Sequence, residues 1–484
     1  MSFFILMVVV FVIGYTAIAL EHPLKVDKAA SALILSVVLW TIYMLGVGDI
    51  LALGFSEAWH HFQGGTEMAE LLRKHPEFTL VEQMKHFIVD NQIIEHLGEI
   101  SEILFFLLGA MTIVETIDQH QGFKIITDRI TTNNKVKLLW ILSVLTFFMS
   151  ALLDNLTTTI VMVALLRKLV GDKQTRWFFA SMIVVAANAG GAWSPIGDVT
   201  TIMLWIGKQV TAGNIIAMVF VPSVFNMVIP LIAVSFFMKG NIIRPEVTGE
   251  NSKTYATPKE AKLMLILGIS SLLFVPIFKT LTHLPPYLGM LFGLSVMWVT
   301  TELIHKNKDD EVKSHLKIYA ILRKVDVPTV FFFLGILTAV AALQSAGHLG
   351  LLAEWLDKNV HDIYAINTII GILSSIVDNV PLTAAAMGMY PIQTPAMLET
   401  ITDPTLHQYA HHFVQDGAFW ELLAYAAGTG GSILIIGSAA GVAAMGLEKI
   451  DFIWYMKKIS LLALLGYLAG IGAYYVQELL IFHM

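Results

Sequence analysis

Acidic and amide side chains occur as adjacent pairs at two places where the chain is otherwise apolar. Asp154 and Asn155 follow the apolar residues 151–153, and Asp378 and Asn379 follow residues 376–377. An Asp at the centre of a membrane helix costs roughly 3 kcal/mol on insertion scales, so such a residue needs a function or a partner. The two pairs therefore indicate a site that binds a cation or protons.

A third acid, Asp198, lies in a stretch that cannot form a continuous helix. Residues 188–198 contain a glycine pair and Pro195, and glycines interrupt the run 428–438 in the same way. Backbone that leaves a helix at membrane depth must be satisfied by protein groups or by a wet cavity. Both runs are therefore predicted to be broken helices that lie beside the acids.

The side chains around these acids offer oxygen atoms rather than sulfur. Carboxylate, amide and hydroxyl oxygens suit a small hard cation such as Na⁺. Each acid could instead cap a helix, and a helix N-terminus at each tip could favour an anion, although the carboxylates there oppose one. Na⁺ is predicted to bind at the three acids with Asn155 and Asn379. The full predicted site consists of Asp154, Asn155, Thr157, Asn188, Asp198, Thr200, Thr201, Asp378, Asn379 and Ser432.

Competition between Na⁺ and protons for the same carboxylates predicts exchange of one for the other. Carboxylates that lie close together in a low dielectric hold protons tightly, because like charge and desolvation both disfavour ionisation. Na⁺ that enters such a site displaces protons, and returning protons displace Na⁺. The residues thus predict an antiport mechanism, in which the two halves of the protein move around the site to give alternating access.

The composition places this chemistry in a membrane protein. Of 484 residues, 56% are hydrophobic and 14% are charged, and the mean hydropathy is +0.71, as is typical of polytopic membrane proteins. The absence of cysteine excludes disulfides and thiolate catalysis, and we find no basic stripe for nucleic acid and no phosphate loop for ATP. No cofactor is expected besides the transported ions. Spans are predicted near 2–20, 29–46, 100–118, 214–238, 261–278, 287–304, 328–346 and 459–481.

The irregular elements occur in the same order in both halves of the chain, which indicates an internal repeat. Each half contains a predicted re-entrant hairpin, at 138–170 and 363–390, followed by a broken helix. An odd number of crossings inverts the second half relative to the first, as in secondary transporters. We predict an all-α polytopic membrane protein with two inverted-topology repeats, re-entrant hairpins and broken transmembrane helices. Its parts are a first repeat at 1–238 with an outer insertion at 47–99, a cytoplasmic linker at 239–260 and a second repeat at 261–484.

The distribution of Lys and Arg predicts how the chain is oriented. Most of the 30 basic residues fall in the connections that this layout assigns to the cytoplasm. This asymmetry follows the positive-inside rule and places both ends of the chain on the outer side. The first hairpin then enters the membrane from the cytoplasm and the second from outside, so that their tips approach the midplane from opposite faces.

Three motifs taken together resemble a known family. They are Asp154-Asn155-Leu156-Thr157-Thr158, Asp378-Asn379-Val380-Pro381-Leu382-Thr383, and the run Gly-Gly-x-x-Ser-Pro-Ile-Gly-Asp-Val-Thr-Thr that ends at Thr201. Over essentially its whole length the chain resembles the NhaD-type Na⁺/H⁺ antiporters of the ion transporter superfamily. The resemblance implies exchange of Na⁺ or Li⁺ for H⁺, a lipid-embedded homodimer and a bacterial inner membrane. In such a membrane, the outer side predicted above for both termini is the periplasm. Ser438 stands where the first half has Asp198, so we expect an asymmetric site.

Two other functions fit parts of the pattern. Na⁺-coupled uptake of a small organic anion, such as a dicarboxylate, would use the same scaffold, but those transporters carry Ser where Asp154 and Asp378 stand here. An intramembrane hydrolase could use two Asp residues, but it would need neither an inverted repeat nor a cluster of amides and hydroxyls. Three further carboxylates, Glu115, Glu302 and Glu421, fall near span ends, where exposure at the interface is the usual environment.

Overall fold

The computed structural model describes residues 2–19, 21–127, 130–244, 255–376 and 378–482. Within these ranges the chain forms helices and no strand, with isolated bridges between Asn134 and Asn241 and between Gln393 and Val414. Residues 245–254 of the predicted linker at 239–260, and Val377 before the second tip, lie outside the described residues. The fold is therefore all-α, as predicted.

The helices of the first half range from single turns to a helix of 26 residues. They are α1 (Ser2–Ala19), α2 (Glu21–Leu24), α3 (Lys28–Leu45), α4 (Val47–Leu51), α5 (Glu57–Gly64), α6 (Thr66–Lys74), α7 (Leu80–His86), a π-helical segment (Phe87–Ile93), α8 (Ile94–Gln119), α9 (Lys124–Thr127), α10 (Lys135–Leu153), α11 (Asn155–Leu169), α12 (Lys173–Ala192), α13 (Val199–Ile206) and α14 (Ala212–Phe237).

The second half has a similar mixture of long helices and short ones. They are α15 (Pro258–Thr282), α16 (Pro286–His305), α17 (Asp310–Leu316), α18 (Ile318–Ile321), α19 (Val327–Ser345), α20 (His348–Asn359), α21 (Ile363–Leu373), α22 (Asn379–Met389), α23 (Pro395–Glu399), α24 (Pro404–Ala410), a 3-10 turn (His411–Phe413), α25 (Ala418–Gly430), α26 (Ala439–Glu448), α27 (Phe452–Lys458) and α28 (Ser460–Phe482).

Eight helical segments of the described chain are long and apolar enough to cross a membrane. This confirms a multi-pass membrane protein. The segments are Lys28–Leu45, Leu80–Gln119, Lys135–Leu153, Ala212–Phe237, Pro258–Thr282, Pro286–His305, Val327–Ser345 and Ser460–Leu480.

Two helix boundaries differ from the prediction. The span predicted at 100–118 is the end of a continuous helical segment that begins at Leu80, because Thr79 and Glu82 form a capping box there. The last part of the predicted insertion at 47–99 is therefore continuous in helix with this span. The first arm of the hairpin at 138–170 is the 19-residue α10, which is long enough to span by itself.

The chain divides into two compact units that combine separate stretches of sequence. The first unit comprises Met1–Leu104, Asp326–Asp362 and Val380–Ile392. Inside it α3 packs against α1 and α19, and Trp40 Nε1 donates to the carbonyl of Thr338 at 2.9 Å. The second unit comprises Phe105–Val325, Ile363–Asn379 and Gln393–Met484. Compactness does not test the predicted repeats, which concern the symmetry of the chain and remain a prediction.

The second unit contains both Asp-Asn tips and both broken helices. Asp154 alone separates α10 from α11, and α21 ends at Leu373 whereas α22 begins at Asn379. Residues 193–198 separate α12 from α13, and residues 431–438 separate α25 from α26. The predicted interruptions are thus confirmed, although the break predicted at 188–198 begins only at Trp193, because residues 188–192 remain in α12. Each break puts the N-terminus of a helix next to a polar side chain.

Matching hydrogen bonds attach each hairpin to a broken helix. Ser150, four residues before the first tip Asp, donates through Oγ to the carbonyl of Ala187 at 2.6 Å. Ser374, four residues before the second tip Asp, donates to the carbonyl of Ala427 at 2.8 Å. The acceptor in each case lies three residues before the first glycine of the pair in the broken helix. Such equivalence is expected of two copies of one unit and supports the predicted repeat.

A buried carboxylate also ties the base of the first hairpin to the second broken helix. Glu448, the last residue of α26, accepts from Arg167 Nε at 2.7 Å and from Arg176 Nε at 2.9 Å. Its side chain is 1% exposed, and its backbone carbonyl accepts from Trp177 Nε1 at 3.1 Å. One carboxylate therefore holds the end of α11 and the start of α12 against α26.

We expect Glu448→Gln to lower the free energy of unfolding by about 3 kcal/mol, because it leaves two guanidinium groups without their counter-charge. The measurement is reversible denaturation of the purified protein in detergent. Glu302→Gln is the matched control, since that carboxylate pairs with Lys317 at 2.5 Å but is 40% exposed. For such a surface pair a change of about 0–1 kcal/mol is expected. Equal losses in the two variants would contradict a special role for Glu448.

Candidate functional site

Asp198 is the most deeply buried of the three predicted acids. Its residue is 2% exposed, whereas Asp154 and Asp378 are half-buried. The broken backbone before α13 makes Asp198 the N-cap of that helix, and Oδ1 accepts from the backbone N–H of Thr200 at 3.4 Å. The positive end of the helix dipole therefore faces this carboxylate and favours its negative charge.

The amides of both hairpin tips bond to the same oxygen of Asp198. Asn155 Nδ2 donates to Oδ2 at 3.1 Å, and Asn379 Nδ2 donates to it at 3.3 Å. Both amides are buried, at 5% and 4% exposure. Sequence reasoning predicted that the two tips approach each other, and the structure brings their side chains to a single atom.

Asn188 extends this network to the second broken helix. Its Oδ1 accepts from Asn155 Nδ2 at 3.1 Å, and its Nδ2 donates to Ser432 Oγ and Ser438 Oγ, each at 2.9 Å. Ser438 caps α26 with φ −145° and ψ 152°, close to the −145° and 148° of Asp198. Ser438 was not among the predicted site residues, although its alignment with Asp198 was a signal for it.

Asp154 is engaged by its own helix. Its Oδ1 accepts from the backbone N–H of Thr157 at 2.8 Å, and its Oδ2 accepts from the hydroxyl of Thr157 at 2.7 Å. Its φ of 84° is in a region that non-glycine residues rarely adopt, at a cost of about 1–3 kcal/mol. Two predicted site residues, Asp154 and Thr157, thus form a strained cap at the break, and Asp378 lies directly before α22 at the other tip.

Three buried threonines belong to the helices that begin at the first tip and at the first broken helix, Thr158 in α11 and Thr200 and Thr201 in α13. Thr201 Oγ1 donates to the carbonyl of Gly191 at 3.4 Å. Thr200 Oγ1 and Thr158 Oγ1 are buried and have no hydrogen-bond partner in the described part of the chain. A buried hydroxyl without a partner is unfavourable. These two oxygens are therefore available as ligands for an ion.

The donor set suits a monovalent cation. Within the ranges that the structure describes, no three His, Cys, Asp or Glu side chains lie close enough together to hold a metal ion. A cation next to Asp198 would therefore take its other ligands from amide, hydroxyl and carbonyl oxygens, which hard cations accept. A site with one adjacent negative charge balances one positive charge.

Two buried groups outside the site differ from expectation or were missed. The expected interfacial exposure is wrong for Glu421, which is 3% exposed because α14 and α28 cover it. His120 and His305 are fully buried and share a hydrogen bond of 2.9 Å between their Nε2 atoms. Burial lowers the pKa of His120. No sequence spacing relates these two histidines, which lie 185 residues apart.

Comparison with known proteins identifies relatives over nearly the whole chain. The family model described as "Citrate transporter" matches residues 4–406. Sodium/proton antiporter 1 of Arabidopsis thaliana is 42% identical over 468 residues, which are 97% of this chain and 71% of the relative. Sodium/proton antiporter 2 of the same plant is 41% identical over 476 residues, which are 97% of this chain and 98% of the relative.

A bacterial relative also aligns over nearly the whole chain. The Na⁺/H⁺ antiporter NhaD of Vibrio cholerae is 29% identical over 490 aligned residues, which are 96% of this chain and 89% of the relative. Antiporters are secondary transporters and not enzymes, so the hydrolase alternative is excluded. The chain belongs to the citrate transporter family and, within it, to the NhaD-type Na⁺/H⁺ antiporters.

Proposed function

We propose that this protein exchanges Na⁺ for H⁺ across its membrane by competition at Asp198. The observation that carries the proposal is the convergence of the amides of Asn155 and Asn379 on Asp198 Oδ2. An ionised, buried carboxylate needs compensation, and two amide donors supply part of it. A proton on the carboxylate, or a cation beside it, compensates the charge more fully, and the two exclude each other.

The amide groups of Asn155 and Asn379 can stabilise Asp198 both without a cation and with a cation bound beside it. With Nδ2 towards Asp198, Asn155 and Asn379 stabilise the carboxylate without a cation. A half-turn of either amide group replaces its NH₂ by Oδ1, which then becomes a ligand for Na⁺. The hydroxyls of Thr158 and Thr200, which have no partner in the described chain, complete the oxygen shell. Li⁺ is bound by the same oxygens because it is also a small hard cation.

The remaining predicted residues act around this centre. Asp154 and Asp378 lie at the tips that carry the two amides, and their charge attracts a cation to the same region. Asn188 and Ser432 hold the amide of Asn155 in place through the network described above. Two inverted repeats, with boundaries as predicted at 1–238 and 261–484, would bring the tips to the midplane and give alternating access. A homodimer, and a bacterial inner membrane with both termini outside, remain predictions from the sequence.

The test is exchange by the purified protein in liposomes with an acidic interior. Addition of Na⁺ or Li⁺ outside is expected to release protons, seen as recovery of the fluorescence of a trapped pH dye, whereas choline is expected to have no effect. No recovery with either cation between neutral and alkaline pH would refute the proposal. Liposomes without protein report the passive leak.

One observation favours a second function. The matching family model is described as a citrate transporter, so coupled uptake of an organic anion is the alternative. Buried Asp198 opposes an anionic substrate, because like charges in a low dielectric repel each other. Labelled citrate and a labelled dicarboxylate should therefore not accumulate under an inward Na⁺ gradient. Their Na⁺-dependent uptake, without proton release, would establish the alternative.

A further inference from the structure

Glu421 is a buried carboxylate that the proposed ion site does not use. It lies in the first turn of α25, where Tyr474 Oη donates to Oε2 at 2.5 Å and Asn214 Nδ2 donates to Oε1. Among the described residues, no Lys or Arg bonds to it. A buried acid with neutral partners has no counter-charge that fixes it in the ionised form. It is therefore suited to gain and lose a proton.

Few other titratable groups face Glu421. Tyr474 reaches it from α28, and Asp416 acts on it from the segment before α25. Asp416 is itself engaged, since both its oxygens accept from Thr211, at 2.5 and 2.9 Å. The 3-10 turn His411–Phe413 also packs against α25 and carries two histidines. Of α12, α13 and α21, which pack against α25 as well, it is the N-cap of α13, Asp198, that presents a carboxylate to this helix.

The two carboxylates face the same side of α25. A Cβ added at Gly428 would lie 3.4 Å from Asp198 Oδ2, so Asp198 sits over that position of the helix. Glu421 precedes Gly428 by seven residues, which is nearly two full turns and about 10 Å along the axis. The side chain of Glu421 thus lies on the face that meets Asp198, at the opposite end of α25.

We propose that Glu421 is a second proton-binding residue of the transport cycle, which passes protons between the N-terminal end of α25 and Asp198. In each transfer the carboxylic acid of Glu421 gives one proton, through water, to Asp198 and becomes a carboxylate, and Asp198 is protonated as Na⁺ leaves. Glu421 then takes up one proton from water at the N-terminal end of α25, so that one proton has entered the site for each proton that Asp198 gained. This inference rests on the proposed Na⁺/H⁺ exchange and names the route by which the protons reach the site.

Two assays on Glu421→Gln separate proton transfer from Na⁺ binding. The first is Na⁺/H⁺ exchange as a function of pH, and the second is exchange of labelled Na⁺ for unlabelled Na⁺ at equal concentrations, which needs no proton. We expect the first to fall by at least about tenfold, since an oriented proton-transfer group contributes that much or more, and its pH dependence to lose one titrating step. The second is expected to stay close to wild type.

Two further variants distinguish proton transfer by Glu421 from a purely structural role of this residue. Tyr474→Phe removes the bond from α28 but keeps the carboxyl group, so proton-coupled exchange should persist in that variant, and Glu421→Asp should restore part of it. Equal loss of both assays in Glu421→Gln and Tyr474→Phe would overturn the proposal in favour of a tether. A wild-type pH profile in Glu421→Gln would also overturn it. Neither result affects the proposed function, which is tested separately by exchange in the wild-type protein and in Asp198→Asn.

Discussion

Asp198→Asn is expected to abolish Na⁺-driven proton release while leaving the protein folded. The variant loses the negative charge that a cation needs, and its new NH₂ group faces the amide donors of Asn155 and Asn379. Loss of a charge-assisted contact of about 3 kcal/mol corresponds to a fall of about 100-fold in affinity. The measurement is the initial rate of dye recovery in liposomes over a series of Na⁺ concentrations.

The fold should survive this change because Asn is as good an N-cap as Asp. The carbonyl oxygen of the substituted amide can still accept from the backbone N–H of Thr200, the bond that begins α13. Asp451→Asn is the matched control. Asp451 is an exposed N-cap of α27 that accepts from the N–H of Trp454 at 2.7 Å, outside the site. The control should transport like the wild type and unfold at the same temperature.

The same substitution at the hairpin tips tests whether the three acids contribute to one cation site. Asp154→Asn and Asp378→Asn are each expected to impair exchange, because each removes negative charge from the region that a cation must enter. Asp154→Asn should have the milder effect, since both oxygens of Asp154 are bonded to Thr157. Wild-type rates in any two of the three variants would refute a shared site.

The sequence predicted the features of this protein that depend on local chemistry. Pro195 cannot continue a helix in an apolar run, so the break before α13 was predictable, although the pair Gly190-Gly191 stays within α12. The glycine-rich run 428–438 likewise marked the break before α26, which begins only after Gly430. An Asp followed by an amide in hydrocarbon likewise marked both hairpin tips. Hydropathy located seven of the eight predicted spans, since a membrane helix must satisfy its own backbone hydrogen bonds. The span predicted at 2–20 corresponds to a shorter apolar helix, and Lys135–Leu153, predicted as the arm of a hairpin, is long enough to cross.

Features that depend on which helices pack together could not be predicted. The clamp of Arg167 and Arg176 on Glu448 joins residues more than 270 apart, and no local pattern relates them. Glu421 was expected at the interface, but α14 and α28 cover it. The bonding of both tip amides to one oxygen of Asp198 is also a property of the packed structure.

Alanine at Gly190 or Gly430 is expected to prevent the second unit from folding. A Cβ added at Gly190 would lie 2.1 Å from the carbonyl oxygen of Phe147, and one at Gly430 would lie 2.0 Å from that of Gly371. Both obstacles are backbone atoms within helices, which cannot turn aside as a side chain would. Overpacking of this kind costs about 1–3 kcal/mol when neighbours can shift, and here they cannot without breaking a helix.

The two contacts involve equivalent positions in the two halves of the chain, so the pair of variants tests the predicted repeat. Phe147 lies seven residues before Asp154, and Gly371 lies seven residues before Asp378. If the two halves are copies of one unit, Gly190→Ala and Gly430→Ala should destabilise the protein to a similar degree. The measurement is the yield of monodisperse protein in detergent, together with its thermal unfolding temperature.

Gly446→Ala provides the matched control for both variants. Gly446 is exposed in α26, and a Cβ added there would meet no atom within 4 Å. Alanine is favoured over glycine in a helix by about 0.5–1 kcal/mol, so this variant should be slightly more stable than the wild type. Normal folding of Gly190→Ala or Gly430→Ala would show that the hairpin and the broken helix do not pack as closely as described. The hydrogen bonds of Ser150 and Ser374 also join each hairpin to its broken helix, as the contacts of Gly190 and Gly430 do. That result would therefore remove the main structural support for the repeat.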